Sequence, residues 1–122
     1  ILTSRWSSWA ARRGKKEVVS HSGTTCYAAV RALDPLTGKL AWDYKMQDMS
    51  ESGLLATATD LLFSGNRDGH FFALDARSGK LLWSRYLGGQ VIASPITFEA
   101  EGKQYVSIAA GHTLYTFALP SE

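Results

Sequence analysis

With 122 residues the chain can bury one core but not two comfortable ones. Its 45% hydrophobic and 20% charged residues are a globular rather than a disordered composition, and no apolar run approaches the ~20 residues of a membrane-spanning helix. A net charge of +2 gives no reason to expect a nucleic-acid partner, and the single Cys26 excludes an internal disulfide or a cysteine-based metal site.

The first 26 residues carry no repeat pattern. Arg5, Arg12, Arg13, Lys15 and Lys16 precede the first acid, Glu17, and the run RRGKK, Arg12 to Lys16, reads as a solvated loop rather than a nucleic-acid or anionic-membrane patch. His21 and Cys26 offer two of the usual four soft-metal ligands, too few to predict a site. The chain begins at Ile1 with neither a charged n-region nor an apolar h-region, so it reads as a mature product or an excised piece.

Strands are predicted from Ala29 onward. Ala29 to Asp34 and Leu40 to Lys45 form the last two strands of one unit, so residues 1–52 are a divergent segment ending in part of a blade. Residues 53–87 then read GLLATATD, LLFSGN, RDG, HFFALDA, RSGK, LLWSRYL. These are four short apolar or alternating runs punctuated by Thr59-Asp60, Asp68-Gly69 and Ser78-Gly79. Asp-Gly between such runs marks a hairpin, because glycine supplies positive φ without a steric penalty. Four antiparallel strands in so short a span make one propeller blade. Residues 88–122 repeat three of them, Val91 to Phe98, Gln104 to Ala109 and His112 to Leu119, leaving a final blade without its fourth strand.

One stretch is written twice. Ala32 to Trp42 reads ALDPLTGKLAW and Ala73 to Trp83 reads ALDARSGKLLW, a period of 41 residues. A period near 40 residues means a propeller or a helical array, and the absence of any helical periodicity decides for strands. Aspartate, threonine or serine, and glycine are turn formers, so each motif joins a third strand to a fourth and puts its tryptophan on an outer strand. Asp34 and Asp75 hold equivalent places in successive units and are no catalytic pair. Such units bury their faces only against neighbours, so an all-β segment of a larger propeller is expected.

In an up-and-down blade the second-to-third turns share a face with the blade-to-blade connectors. That face collects residues 64–70 and 110–112 with connectors 47–52 and 86–90, and propellers place ligands on such convergent loops. Arg67-Asp68-Gly69 at a hairpin tip reads as a solvated turn. No nucleophile elbow, Walker loop or nucleotide fingerprint occurs.

The pattern A-x-D-x-x-[TS]-G-K-x-x-W, with the run from Gly53 to Pro120, resembles the tryptophan-docking repeats of pyrroloquinoline quinone (PQQ)-dependent dehydrogenases of the methanol/ethanol dehydrogenase family. The resemblance implies an eight-bladed propeller of four-stranded antiparallel blades, of which this chain supplies C-terminal ones. It implies a structural docking motif at Ala32, Asp34, Gly38 and Trp42, and again at Ala73, Asp75, Gly79 and Trp83, each indole resting on the alanine and glycine of the neighbouring motif. It also implies that a glycine near the end of the last blade meets the quinone. Gly111 matches that position, with His112 where the family has tryptophan, and these two are the cofactor-binding candidates. The aspartate base and the ligands of a calcium or lanthanide ion fall upstream, so no catalytic or metal residue is assigned here. By the same resemblance the whole protein is a periplasmic alcohol dehydrogenase passing electrons to cytochrome c or a membrane quinone. This segment, needing the remaining blades, is expected to be inactive and to self-associate. The rival expectation is a non-catalytic propeller scaffold that binds other proteins.

Overall fold

Among the described residues, short segments separated by turn formers fold into ten strands and no helix. The computed structural model describes residues 2–6, 28–46, 48 and 50–119. Strands β1 (Leu2–Trp6), β2 (Ala28–Leu33) and β3 (Leu40–Met46) form the first sheet. The second sheet contains β4 (Leu55–Ala56), β5 (Leu61–Gly65), β6 (His70–Asp75) and β7 (Leu81–Tyr86). The third contains β8 (Ile96–Ala100), β9 (Lys103–Ala110) and β10 (Thr113–Ala118). Every pairing is antiparallel between consecutive strands, the meander expected of propeller blades.

Two differences from the sequence reading have physical causes. The segment before residue 27 contributes β1, paired with β2 from Leu2↔Ala32 to Trp6↔Ala28, so the first sheet has three strands among the described residues. LTSRW lacks both an alternating pattern and a flanking turn signal, and its partner's open edge gives it a place. The strand expected from Val91 begins only at Ile96. Val91 is fully buried in the connector, where its N–H donates to the Asn66 carbonyl at 3.1 Å, and Pro95 has no N–H to give a ladder.

The three sheets stack through two apolar seams. Ala28, Val30, Ala32, Trp42 and Met46 of the first meet Leu62, Phe72 and Leu74 of the second. On the other side of the second sheet, Phe71 packs with Leu87, Val91, Val106, Ile108 and Ala110. Because side chains alternate, neighbouring residues Phe71 and Phe72 of β6 serve opposite seams. Aromatic contacts reinforce both: Tyr44 lies 5.3 Å from Phe72, and Trp83 meets Phe117 edge-on at 5.2 Å, ring centre to centre.

The doubled motif makes the same local structure twice. Asp34 Oδ1 accepts the amides of Leu36 (2.8 Å) and Thr37 (3.2 Å), and the Asp34 carbonyl accepts the Gly38 amide (2.8 Å). Asp75 Oδ1 does the same for Arg77 (2.8 Å) and Ser78 (3.4 Å), and its carbonyl for Gly79 (2.8 Å). Both turns end in a glycine of positive φ, 69° at Gly38 and 72° at Gly79, and both repeats carry a register shift just before the aspartate.

The Asp75 carboxyl is held below its ordinary value of 3.8, first by the hydrogen bond from the Arg77 amide. A lowered native pKa means the ionised form favours the fold above the unfolded value, and that contribution disappears as pH falls through the native one. Acid unfolding followed by tryptophan fluorescence should therefore be shallower below pH 3.8 in Asp75→Asn, which keeps an acceptor oxygen without the charge. Identical acid limbs would reject this role.

Candidate functional site

The connector between the second and third sheets organises the loop face. Leu87 N–H donates to the Gly69 carbonyl (2.8 Å), tying the connector to the β5–β6 turn. Gly111 N–H donates to the Gln90 carbonyl (2.9 Å), tying it to the β9–β10 turn, and the Tyr115 hydroxyl reaches the Leu87 carbonyl (2.7 Å). Buried serines complete the frame: Ser50 Oγ donates to the Gly65 carbonyl (2.7 Å), Ser52 Oγ to that of Ala93 (2.8 Å) and Ser64 Oγ to that of Gly53 (3.2 Å). The turns and connectors expected on one face are thus bonded to one another, each buried hydroxyl satisfied by a backbone acceptor.

Gly111 and His112 are the two-residue loop between paired Ala110 and Thr113, and both are exposed. Gly111 has φ 59°, which favours glycine. Its backbone also abuts Gly89, where an added Cβ would come within 2.9 Å of the Gly111 nitrogen and 3.0 Å of its Cα. On the Gly111 side an added Cβ would meet only Gly89 Cα, at 3.4 Å, so the loop tip is otherwise open.

Asp68, His70 and Tyr86 come together on this face, and Tyr44 of the first sheet lies within reach of the Asp68 charge. His70 Nδ1 lies 2.8 Å from Asp68 Oδ1, and the His70 ring sits 5.4 Å from that of Tyr86, centre to centre. The Tyr44 hydroxyl is pushed above its ordinary value, mainly by burial and secondarily by the charge of Asp68. Nothing in the linear sequence brings Tyr44 toward Asp68; stacking of the first two sheets does. Among the described residues, no group of three or more His, Cys, Asp or Glu is placed to hold a metal ion.

The opposite face carries the doubled turns and the two indoles. Trp42 is 9% exposed, with its ring over Gly79 and its Nε1–H donating to the Ala76 carbonyl at 3.0 Å. An added Cβ on Gly79 would lie 2.5 Å from Trp42 Cε3, so the absence of a side chain makes the seat for the ring. Ala32 and Ala73 stand across from Trp42 and Trp83 within their own sheets, small partners that leave an indole room to lie along the strand. The Ala76 peptide is held from both sides, because its N–H donates to the Asp60 carbonyl at 2.8 Å while its oxygen accepts from Trp42. Asp60 sits at φ 60° and its carboxylate meets Arg77 Nε at 3.3 Å. Neither Asp60 nor Ala76 was legible as a docking residue, since both act through backbone atoms. Trp83 is 37% exposed and meets the rings of Phe71 and Phe117 edge-on, at 6.0 and 5.2 Å centre to centre.

Comparison with known proteins places this arrangement. The family model described as outer membrane protein assembly factor BamB matches residues 27–119. The quinoprotein ethanol dehydrogenase of Pseudomonas aeruginosa is 43% identical over 84 residues, 69% of this chain and 14% of that protein. The lanthanide-dependent methanol dehydrogenase of Methylacidiphilum fumariolicum is 41% identical over 86 residues, 70% of this chain and 14% of that one. The crystal structure of quinohemoprotein alcohol dehydrogenase from Comamonas testosteroni superposes with a TM-score of 0.73 at 29% identity, covering 83% of this chain and 18% of the other. The chain therefore spans less than a fifth of the length of these relatives.

Proposed function

This chain belongs to the PQQ-repeat propeller family, the quinoprotein alcohol dehydrogenases among its relatives, and from that premise we propose that it forms C-terminal blades of a longer PQQ-dependent alcohol dehydrogenase. The observation that carries the reading is 43% identity over 84 residues to a quinoprotein ethanol dehydrogenase. The complete protein oxidises an alcohol, works in the periplasm and hands electrons to cytochrome c or a membrane quinone. Bound PQQ would supply the two-electron oxidation. This chain's part is to position it, with the open Gly111 backbone approaching the cofactor and the exposed His112 ring available to a quinone carboxylate. By the resemblance, a calcium or lanthanide ion and the base that takes the substrate proton belong to other blades, and the 122-residue chain alone is expected to be inactive.

The test is a PQQ titration of the longer protein with and without added metal, followed by dye-linked oxidation of an alcohol panel. Metal-dependent binding and turnover are expected, with His112→Ala weakening quinone binding by about tenfold, or ~1.4 kcal/mol. Binding without any alcohol turnover would reject the enzymatic reading.

A second reading is a non-catalytic scaffold for protein partners. The family model's description as an assembly factor and the histidine following Gly111 favour it. In that case the same titration gives no specific quinone binding at all.

A further inference from the structure

Gly89 is a glycine for a different reason from the glycines around it. Gly88 and Gly111 have φ of 79° and 59°, so their backbone conformation alone favours glycine. Gly89 does not sit at positive φ. What excludes a side chain there is proximity. An added Cβ would lie 2.9 Å from the Gly111 nitrogen, 3.0 Å from the Ala110 carbonyl carbon and 3.0 Å from Gly111 Cα. All three atoms are backbone, so no change of rotamer relieves the contact. At Gly88, by contrast, an added Cβ would meet nothing within 4 Å.

The two sides of this contact are held unequally. Leu87 and Val91 anchor the connector at both ends, buried in the second seam, and their amides donate to the carbonyls of Gly69 (2.8 Å) and Asn66 (3.1 Å). The β9–β10 turn is two residues long and exposed at its tip, and Gly111 N–H ties it to the Gln90 carbonyl at 2.9 Å. Extra volume at Gly89 would therefore move the turn and stretch that bond, leaving the connector in place. Bringing the closest pair from 2.9 Å to ordinary van der Waals contact displaces Gly111 by roughly half an ångström. A binding constellation must be held to about 0.5 Å, so a displacement of this size matters at a ligand.

We propose that Gly89 is a positioning residue, whose missing side chain sets the height at which Gly111 and His112 are presented to the quinone. The role rests on the reading in which Gly111 meets that cofactor. Gly89 acts through the turn it seats rather than on the ring itself. Both sheets that build the contact belong to this chain, so the geometry is complete without blades elsewhere.

The longer protein carrying Gly89→Ala tests the proposal by two readouts, PQQ affinity and, without cofactor, hydrogen exchange at the Gly111 amide. The dissociation constant for PQQ should rise about tenfold, and exchange at Gly111 should speed by a similar factor. Gly38→Ala is the control, because it strains a turn on the opposite face with φ 69° and open space around it. It should lower stability and leave both readouts unchanged. Tyr115→Phe removes the 2.7 Å bond to the Leu87 carbonyl without adding volume. It should move both readouts in the same direction by a smaller factor, and serves if Gly89→Ala fails to fold. Absence of PQQ binding by the unaltered protein rejects the quinone reading and this role with it. PQQ binding left as tight in the folded variant as in the unaltered protein overturns the positioning role alone. An equal loss of affinity in Gly38→Ala does the same, since general destabilisation then accounts for both.

Discussion

Trp42→Ala is expected to cost about 3–5 kcal/mol of unfolding free energy, the range for removing a large buried aromatic. The indole is 9% exposed, sits in the apolar seam between the first two sheets and donates a hydrogen bond to Ala76. Its removal leaves a cavity and an acceptor without its partner at one stroke. Trp83→Ala should cost clearly less, about 1–2 kcal/mol, because only part of its apolar area leaves water. Trp83 is 37% exposed and has aromatic neighbours on β6 and β10 but no glycine seat among the described residues. Chemical denaturation of both variants measures the difference. Equal losses would mean that the Gly79 seat adds nothing to what the indole gains by partial burial alone.

The two motif glycines give a sharper comparison because their turns match. Gly38 and Gly79 have φ of 69° and 72° and equivalent hydrogen bonds, so an alanine at either pays the same left-handed penalty of about 1–2 kcal/mol. Around Gly38 an added Cβ meets nothing within 4 Å, whereas at Gly79 it meets the Trp42 ring at 2.5 Å. Gly38→Ala should therefore cost only the backbone strain. Gly79→Ala should cost roughly 2–3 kcal/mol more, in the range of overpacking a filled site. In Trp42→Ala the extra cost of Gly79→Ala should vanish, since the ring it displaces is gone. A double-mutant cycle reads that coupling directly, and additive losses would show that the glycine's seat and the indole act independently.

Much of the fold is legible in the sequence because its repeats are written in side chains. The 41-residue period, the Asp-initiated turns and the short apolar runs of β5, β6 and β9 all depend on residue type, and sequence displays residue type. β1 was hidden because LTSRW earns its place from a neighbour's edge rather than from a pattern of its own. The late start of β8 was hidden because Val91 looks like a strand residue but is spent on the core and on Asn66. At the loop face, Gly111 was legible as a glycine needed for its backbone. Its contact with Gly89 was not, since two residues without side chains leave no trace of the distance between them. The Asp68–His70 pair is local to the β5–β6 turn, whereas the rise in the Tyr44 pKa emerges only when the first two sheets are stacked.

The Ala76 peptide, held by Asp60 on its own sheet and by Trp42 from the sheet before, blurs the idea of a blade as the unit of stability. In a stack of repeats, cooperativity comes from nearest-neighbour contacts as much as from each repeat itself. Here one backbone link belongs to both at once. Opening of the β4–β5 hairpin would release Asp60 and loosen the acceptor on which the preceding sheet's indole depends. The piece that opens and closes together is therefore offset from the piece that pairs into a sheet, running from the outer strand of one blade to the inner hairpin of the next. The chain is laid like overlapping brickwork, its weakest planes bridged by the motif that its sequence writes twice.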